Sequence, residues 1–166
     1  MNLQRLEMMK QMLGRVVAGS WTPVQQLSVA DKIPTPFPAI KLKNFDLSSW
    51  VEVHAPTNNT CGFTACAVGH ACFDEEFRKL GLQFEGNRPV FEGRDNWTAV
   101  HRFFDIYNTT ASNLFSDSNY NASKEAAVKH LPKTIREAQM VLNRITILIE
   151  LGDERTFNES VRKGNA

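Results

Sequence analysis

Residues 58–74 read NNTCGFTACAVGHACFD and hold all 3 cysteines of this 166-residue chain. They also hold Gly62, Gly69 and a histidine, His70, four residues after Cys66. A packed helix, a thiol nucleophile and a metal site are the readings in competition. The helix explains the most residues. Asn58, Asn59 and Thr60 are good capping residues, so a helix is expected to start there and run to Leu80. Gly81 would close it, with Arg78 and Lys79 at the carbonyl end of the dipole. Gly62, Cys66, Gly69 and Phe73 then share one face, with Ala65, Val68 and Cys72 beside them. Small residues along a face let another backbone approach closely, and free cysteine packs as a small hydrophobe. Glycine inside a helix costs about 1 kcal/mol relative to alanine, which fits a position where a larger side chain would clash. The stretch therefore predicts a buried central helix over about 60–80, with His70 either satisfied at its border or facing a pocket.

The chemical readings use the same residues differently. A thiol at Cys61 in the first turn of that helix would have a lowered pKa, and Gly62 would let a substrate backbone come close. Its base would come from His54, His101 or His130, and Asp105 stands four residues after His101 on the next helical segment. For a metal, Cys66 and His70 share a face at i and i+4. Cys61 and Cys72 are out of line with them, and paired C-x-x-C spacing is missing, so neither metal nor cofactor is expected.

Outward from this segment, helical periods dominate. Residues 1–17 carry Leu3, Leu6, Met9, Leu13 and Val16 on one face, ended by Gly19 and Pro23. That face suits either its own domain or a partner, since Met8, Met9 and Met12 make an adaptable apolar surface. Residues 18–44 form a connection in which Pro34, Pro36 and Pro38 impose extended geometry. FDLSSWVEV at 45–53 reads as a second helical element, and 82–93 as a small β-hairpin or an irregular crossover. Helices are expected over 96–107, 109–116, 121–131 and 134–152. The last carries Ile135, Ala138, Val141 or Leu142, Ile145, and Leu148 or Ile149, with Gly152 to close it. The tail, 152–166, is polar and expected to fray. The fold class is mainly α: a compact single domain of short helices, with residues 45–151 as its core.

Composition narrows the function classes. The chain is 42% hydrophobic and 22% charged, as in ordinary globular proteins, and its net charge of +1 gives no reason to expect nucleic acid as a partner. It holds no run of about 18 uninterrupted apolar residues, so no membrane span is expected. The N-terminal segment is charged throughout and does not read as a signal peptide. An odd cysteine count then favours reduced thiols and a cytoplasmic setting. The N-x-[ST] sequons at Asn58, Asn96, Asn108, Asn121 and Asn158 read as turns and caps.

FDLSSW, TCGFTACAVGHAC, the EF-x-x-x-GL segment, the paired phenylalanines 103–104, NLFS and Tyr120 together resemble a family of small uncharacterised proteins of phages and prophages. Its pattern is F-D-[ML]-x-x-W, C-G-T-x-A-C-x-x-G-x-A, F-F-x-[IL] and L-F, and it covers residues 45–120 here. Phe63 stands where threonine is usual, so any role of that hydroxyl is lost or passes to Thr64. The resemblance implies a phage-type accessory protein in the host cytoplasm and carries no activity with it. The expected function is non-enzymatic binding of a host protein or a small ligand. Candidate contact residues are Trp50, His54, Phe63, Thr64, His70, Trp97 and Phe104. The alternatives are a cysteine hydrolase built on Cys61, His101 and Asp105, and a self-assembling structural protein. A homo-oligomer in which residues 1–17 form part of the contact is also expected.

Overall fold

The computed structural model describes residues 1–23, 41–48, 50–57, 60–86, 88–120, 128 and 131–164. The proline-bearing stretch 34–38 and nearly all of the helix expected over 121–131 lie outside the described residues. The fold is mainly α, with two small three-stranded sheets set among the helices.

Helix α1 (Leu3–Val17) starts where the Asn2 side chain accepts from the Arg5 amide. Its apolar face, Leu6, Met9, Met12 and Leu13, is completely buried within its own chain. It lies mainly against α6 (Lys133–Leu151) and also touches α2 (Ala67–Cys72) and α4 (Asn96–Phe104). Arg5 secures the contact with α4: its guanidinium donates to the Phe103 carbonyl at 2.5 Å and sits 4.4 Å from the centre of the Phe103 ring. The methionine-rich face is therefore core.

The quoted stretch departs from the helical expectation over its first half. Strands β1 (Lys41–Phe45), β2 (Val51–Thr57) and β3 (Thr60–Ala65) form one sheet with β3 in the centre. β3 runs parallel to β1 (Lys41 opposite Gly62) and antiparallel to β2 (Val51 opposite Ala65, His54 opposite Gly62). Helix follows only at α2, and a second short helix, α3 (Glu75–Lys79), starts from the Asp74 cap. Two expectations are thus corrected. Residues 60–65 are strand, and the helical element expected at 45–53 is the end of β1, a turn and the start of β2. The reason lies in local preference. Val51 and Val53 alternate with polar residues, Thr60, Phe63 and Thr64 favour extended backbone, and an Asn-Asn pair suits a hairpin as well as a helix cap.

The hairpin expected near 82–93 is present. β4 (Gln83–Glu85) pairs antiparallel with β5 (Arg88–Phe91), which pairs in turn with β6 (Arg94–Asp95). Glu92 and Gly93 both hold positive φ (49° and 70°), the two-residue reversal whose twist matches the flanking strands. Helix α4 ends short of the expected residue 107, at Asp105 in the left-handed conformation, so Ile106 is buried and Tyr107 begins α5 (Asn108–Phe115).

One hydrophobic cluster joins the elements. Phe77, Phe103, Phe104 and Phe115 pack as a run of tilted and edge-on rings, with Phe103 and Phe104 5.0 Å apart at 85°, and Phe73 packs on Phe84. On α6 the buried stripe is Ala138, Val141, Ile145 and Leu148. The tail is also part of the fold: Asp153 caps α7 (Glu154–Arg162) by accepting from the Thr156 amide at 2.7 Å, and Phe157 is fully buried. The expectation of a frayed tail is corrected, because one aromatic anchor and one cap are enough to dock nine residues. Among the described residues, no helix is long and apolar enough to cross a membrane.

Candidate functional site

Cys66 caps α2. Its Sγ accepts from the Gly69 amide at 3.5 Å, and its S–H faces the Trp50 carbonyl at 4.0 Å. A β-carbon added at Gly69 would fall 1.8 Å from that same Trp50 carbonyl oxygen and 2.9 Å from the Ala65 β-carbon. Cys66 and Gly69 thus dock the backbone where β2 begins. Burial drives the Cys66 thiol pKa up to about 11, and the Cys72 thiol is raised well above its ordinary value for the same reason. Both stay protonated at neutral pH and serve packing. Cys61 lies in the central strand β3, so the helix start that would activate it is not where it stands.

His70 is 2% exposed, between the rings of Trp21 (4.9 Å) and Phe45 (5.2 Å). Its Nδ1 lies 2.9 Å from the Cys66 carbonyl, which can only accept, so Nδ1 carries a proton. Cys66 and His70 are therefore linked through a backbone carbonyl. Burial lowers the His70 pKa to about 4. The unfolded chain, with histidine near its ordinary value of 6.5, takes up this proton first on acidification. Stability is accordingly expected to fall between pH 6.5 and 4, by on the order of 3 kcal/mol from this residue. Urea denaturation across that range should show the loss, and His70→Gln should flatten it. A wild-type profile flat from pH 7 to 4.5 would overturn this account.

The other proposed residues are distributed. His101 borders a small recess of about 380 Å³ with Glu92, Arg94, Thr98 and Arg102. Asp105, four residues on, is directed to the amino group of Met1 at 3.2 Å. Phe104 is fully buried in the aromatic run. Trp50 and Trp97 come together, ring centres 4.8 Å apart, with Trp97 37% exposed at the surface. His54, Phe63 and Thr64 lie on β2 and β3, with His54 opposite Gly62 and Phe63 opposite Val53.

A wider concavity than the His101 recess lies elsewhere. A cleft of about 740 Å³ opens between α5, the 3-10 turn Asp117–Asn119 and α7, and Tyr107, Asn113, Asn119, Arg155, Asn158 and Arg162 line it. Its walls are tied from behind. The Glu154 carboxylate accepts from the Tyr107 amide at 2.7 Å. The Asn113 amide donates to Asn158 at 2.8 Å, and Asn158 donates to Thr110 at 2.9 Å. Asn119 donates to the carbonyl and hydroxyl of Ser112 at 3.0 and 2.9 Å. Tyr107 stands at the rim, 73% exposed.

Arg144 of α6 fixes this wall from the core side and is itself 2% exposed. Its guanidinium donates to the carbonyls of Asn113 and, at 2.6 Å, Asn119, both residues of the cleft. It also lies 3.8 Å from the centre of the Tyr120 ring, whose hydroxyl donates to the Leu114 carbonyl at 2.5 Å. Burial raises the Tyr120 pKa and lowers that of Arg144. Sequence reasoning missed this group, although one signal was available: position 144 falls three residues after Val141 and four before Leu148, on the buried stripe. The α7 side lies in the polar tail expected to fray, although Phe157 and Val161 at i and i+4 behind Asp153 are a signal for a docked helix.

Comparison with protein-family models, with curated proteins and with solved structures gives no match for this chain.

Proposed function

We propose that the protein works by binding, not by catalysis, and that the cleft between α5 and α7 holds a small ligand. In this reading it is a phage-type accessory protein that sequesters a molecule of the host cell. The observation that carries the proposal is the hydrogen-bonded wall of the cleft. Asn113, Asn119 and Asn158 are held in place before any ligand arrives, so little ordering entropy is lost on binding. The residues that suggested catalysis support the same view. Cys61 lies in strand β3 and not at a helix start, and the Asp105 carboxylate is turned to the amino group of Met1.

A panel of small metabolites tested by thermal shift is the direct experiment. A ligand present at about 100 times its Kd stabilises the folded state by roughly 2.7 kcal/mol, a shift of several degrees. It should be recovered chemically unchanged, and combining Tyr107→Ala with Asn113→Ala should abolish the shift. Conversion of the compound to a product would overturn the binding-only reading. A shift indifferent to the double substitution would remove the cleft from it.

A further inference from the structure

The charges around the cleft are unbalanced. Arg155 and Arg162, one on each end of α7, line it together with one carboxylate, Glu159, which lies 3.4 Å from the Arg155 Nε. Behind the opposite wall lies a further cation, since the Arg144 guanidinium donates to the backbone of two residues that line the cleft, and the Glu154 carboxylate behind Tyr107 offsets only part of the excess of three arginines over Glu159. Among the described residues no carboxylate pairs with Arg144; carbonyl oxygens and the Tyr120 ring hold it. A buried cation neutralised only by dipoles leaves a positive potential on the nearest open surface, which is this cleft. Arginine on one wall and buried arginine behind the other therefore favour an anion, and guanidinium forks match phosphate oxygens well.

The remaining lining residues specify what the anion is attached to. The Tyr107 ring is exposed at the rim while its backbone amide is fixed by Glu154, a held aromatic face that nothing in the fold requires to be there. Asn113 and Asn119 also line the cleft, and because their amide nitrogens are engaged in the wall, their side-chain oxygens are what they offer a ligand as acceptors. An aromatic face, hydrogen-bond acceptors suited to hydroxyls, and an arginine at the end of α7 away from Tyr107 match a base, a sugar and a phosphate. Resting on the binding reading above, we infer that the cleft takes a nucleoside monophosphate. The base stacks on Tyr107 beside Arg155, the sugar lies along the asparagines, and the phosphate meets Arg162.

The test uses the full chain and four probes: AMP, adenosine, ribose 5-phosphate and a neutral disaccharide. Binding is followed by titration calorimetry and by the side-chain amide resonances of Asn113, Asn119 and Asn158. AMP should bind at least tenfold more tightly than adenosine or ribose 5-phosphate, and its affinity should fall as salt is raised. Arg155→Gln, Arg162→Gln and Tyr107→Ala each alter an exposed side chain, and each should weaken AMP about tenfold without changing the melting temperature. Adenosine binding as well as AMP would overturn the assignment of an anion, and ribose 5-phosphate binding as well would overturn that of the base. If only the disaccharide moves the cleft resonances, the nucleotide inference fails and the cleft remains a binding site. If no probe moves them and no compound of the metabolite panel does, both fail.

Discussion

Gly69→Ala is expected to destabilise the protein by about 3 kcal/mol, against the ordinary trend for helices. In an exposed helix interior the same change gains about 1 kcal/mol. Here the new methyl group would fall 1.8 Å from the Trp50 carbonyl oxygen and 2.9 Å from the Ala65 β-carbon, so backbone must move. The oxygen belongs to the residue just before β2, and it also faces the Cys66 thiol. Displacing it weakens the Cys66 cap, the first rung of the sheet at Val51 and Ala65, and the contact between Trp50 and Trp97. Urea denaturation measures the loss, and near-ultraviolet circular dichroism should report the parted tryptophans. A variant as stable as the wild type would show that no close approach exists at Gly69.

Arg144→Met is expected to cost a similar amount, about 3 kcal/mol. The methionine fills most of the stem's volume but leaves the carbonyls of Asn113 and Asn119 without their donor, each a loss of about 1–3 kcal/mol. Because those carbonyls are spread across two elements, a point charge cannot serve both as the planar fork does, so Arg144→Lys should recover only part of the stability. Equal stability of the arginine and methionine proteins would instead mark the clamp as replaceable by apolar packing, as happens in some buried polar clusters. The ligand readout separates the two roles of the residue. Loss of Arg144 should also slacken the wall of the cleft and lower affinity in any variant that still folds.

These two residues mark how far the chain could be read in one dimension. Gly69 was legible: a glycine inside a run of small side chains signals a close neighbour, and a close neighbour is there. Its identity was not, because the Trp50 backbone reaches Gly69 only through pairing between β2 and β3. The helical half of the quoted stretch and the strand half look alike in composition. Cys61, Gly62 and Ala65 continue the small-residue stripe of α2 backwards, so periodicity extended the helix too far. Extended backbone prevailed there because β1 and β2 supply hydrogen bonds on both sides of β3, a long-range gain that no window of the sequence contains.

The sequence by itself determined the mainly helical class, the spans of α1 and α6 and the burial of Cys66, Gly69 and Cys72. Each of these follows from local periodicity, capping chemistry and side-chain size. Only the tertiary structure decided that the thiols cap and pack, that the methionine face of α1 is core, and that the last helix docks. It alone placed Tyr107, Asn113, Arg144 and Arg162, which lie far apart along the chain, around or behind one cleft. The physical reason is that a helix pattern records which face is buried, whereas what that face meets depends on contacts between distant segments.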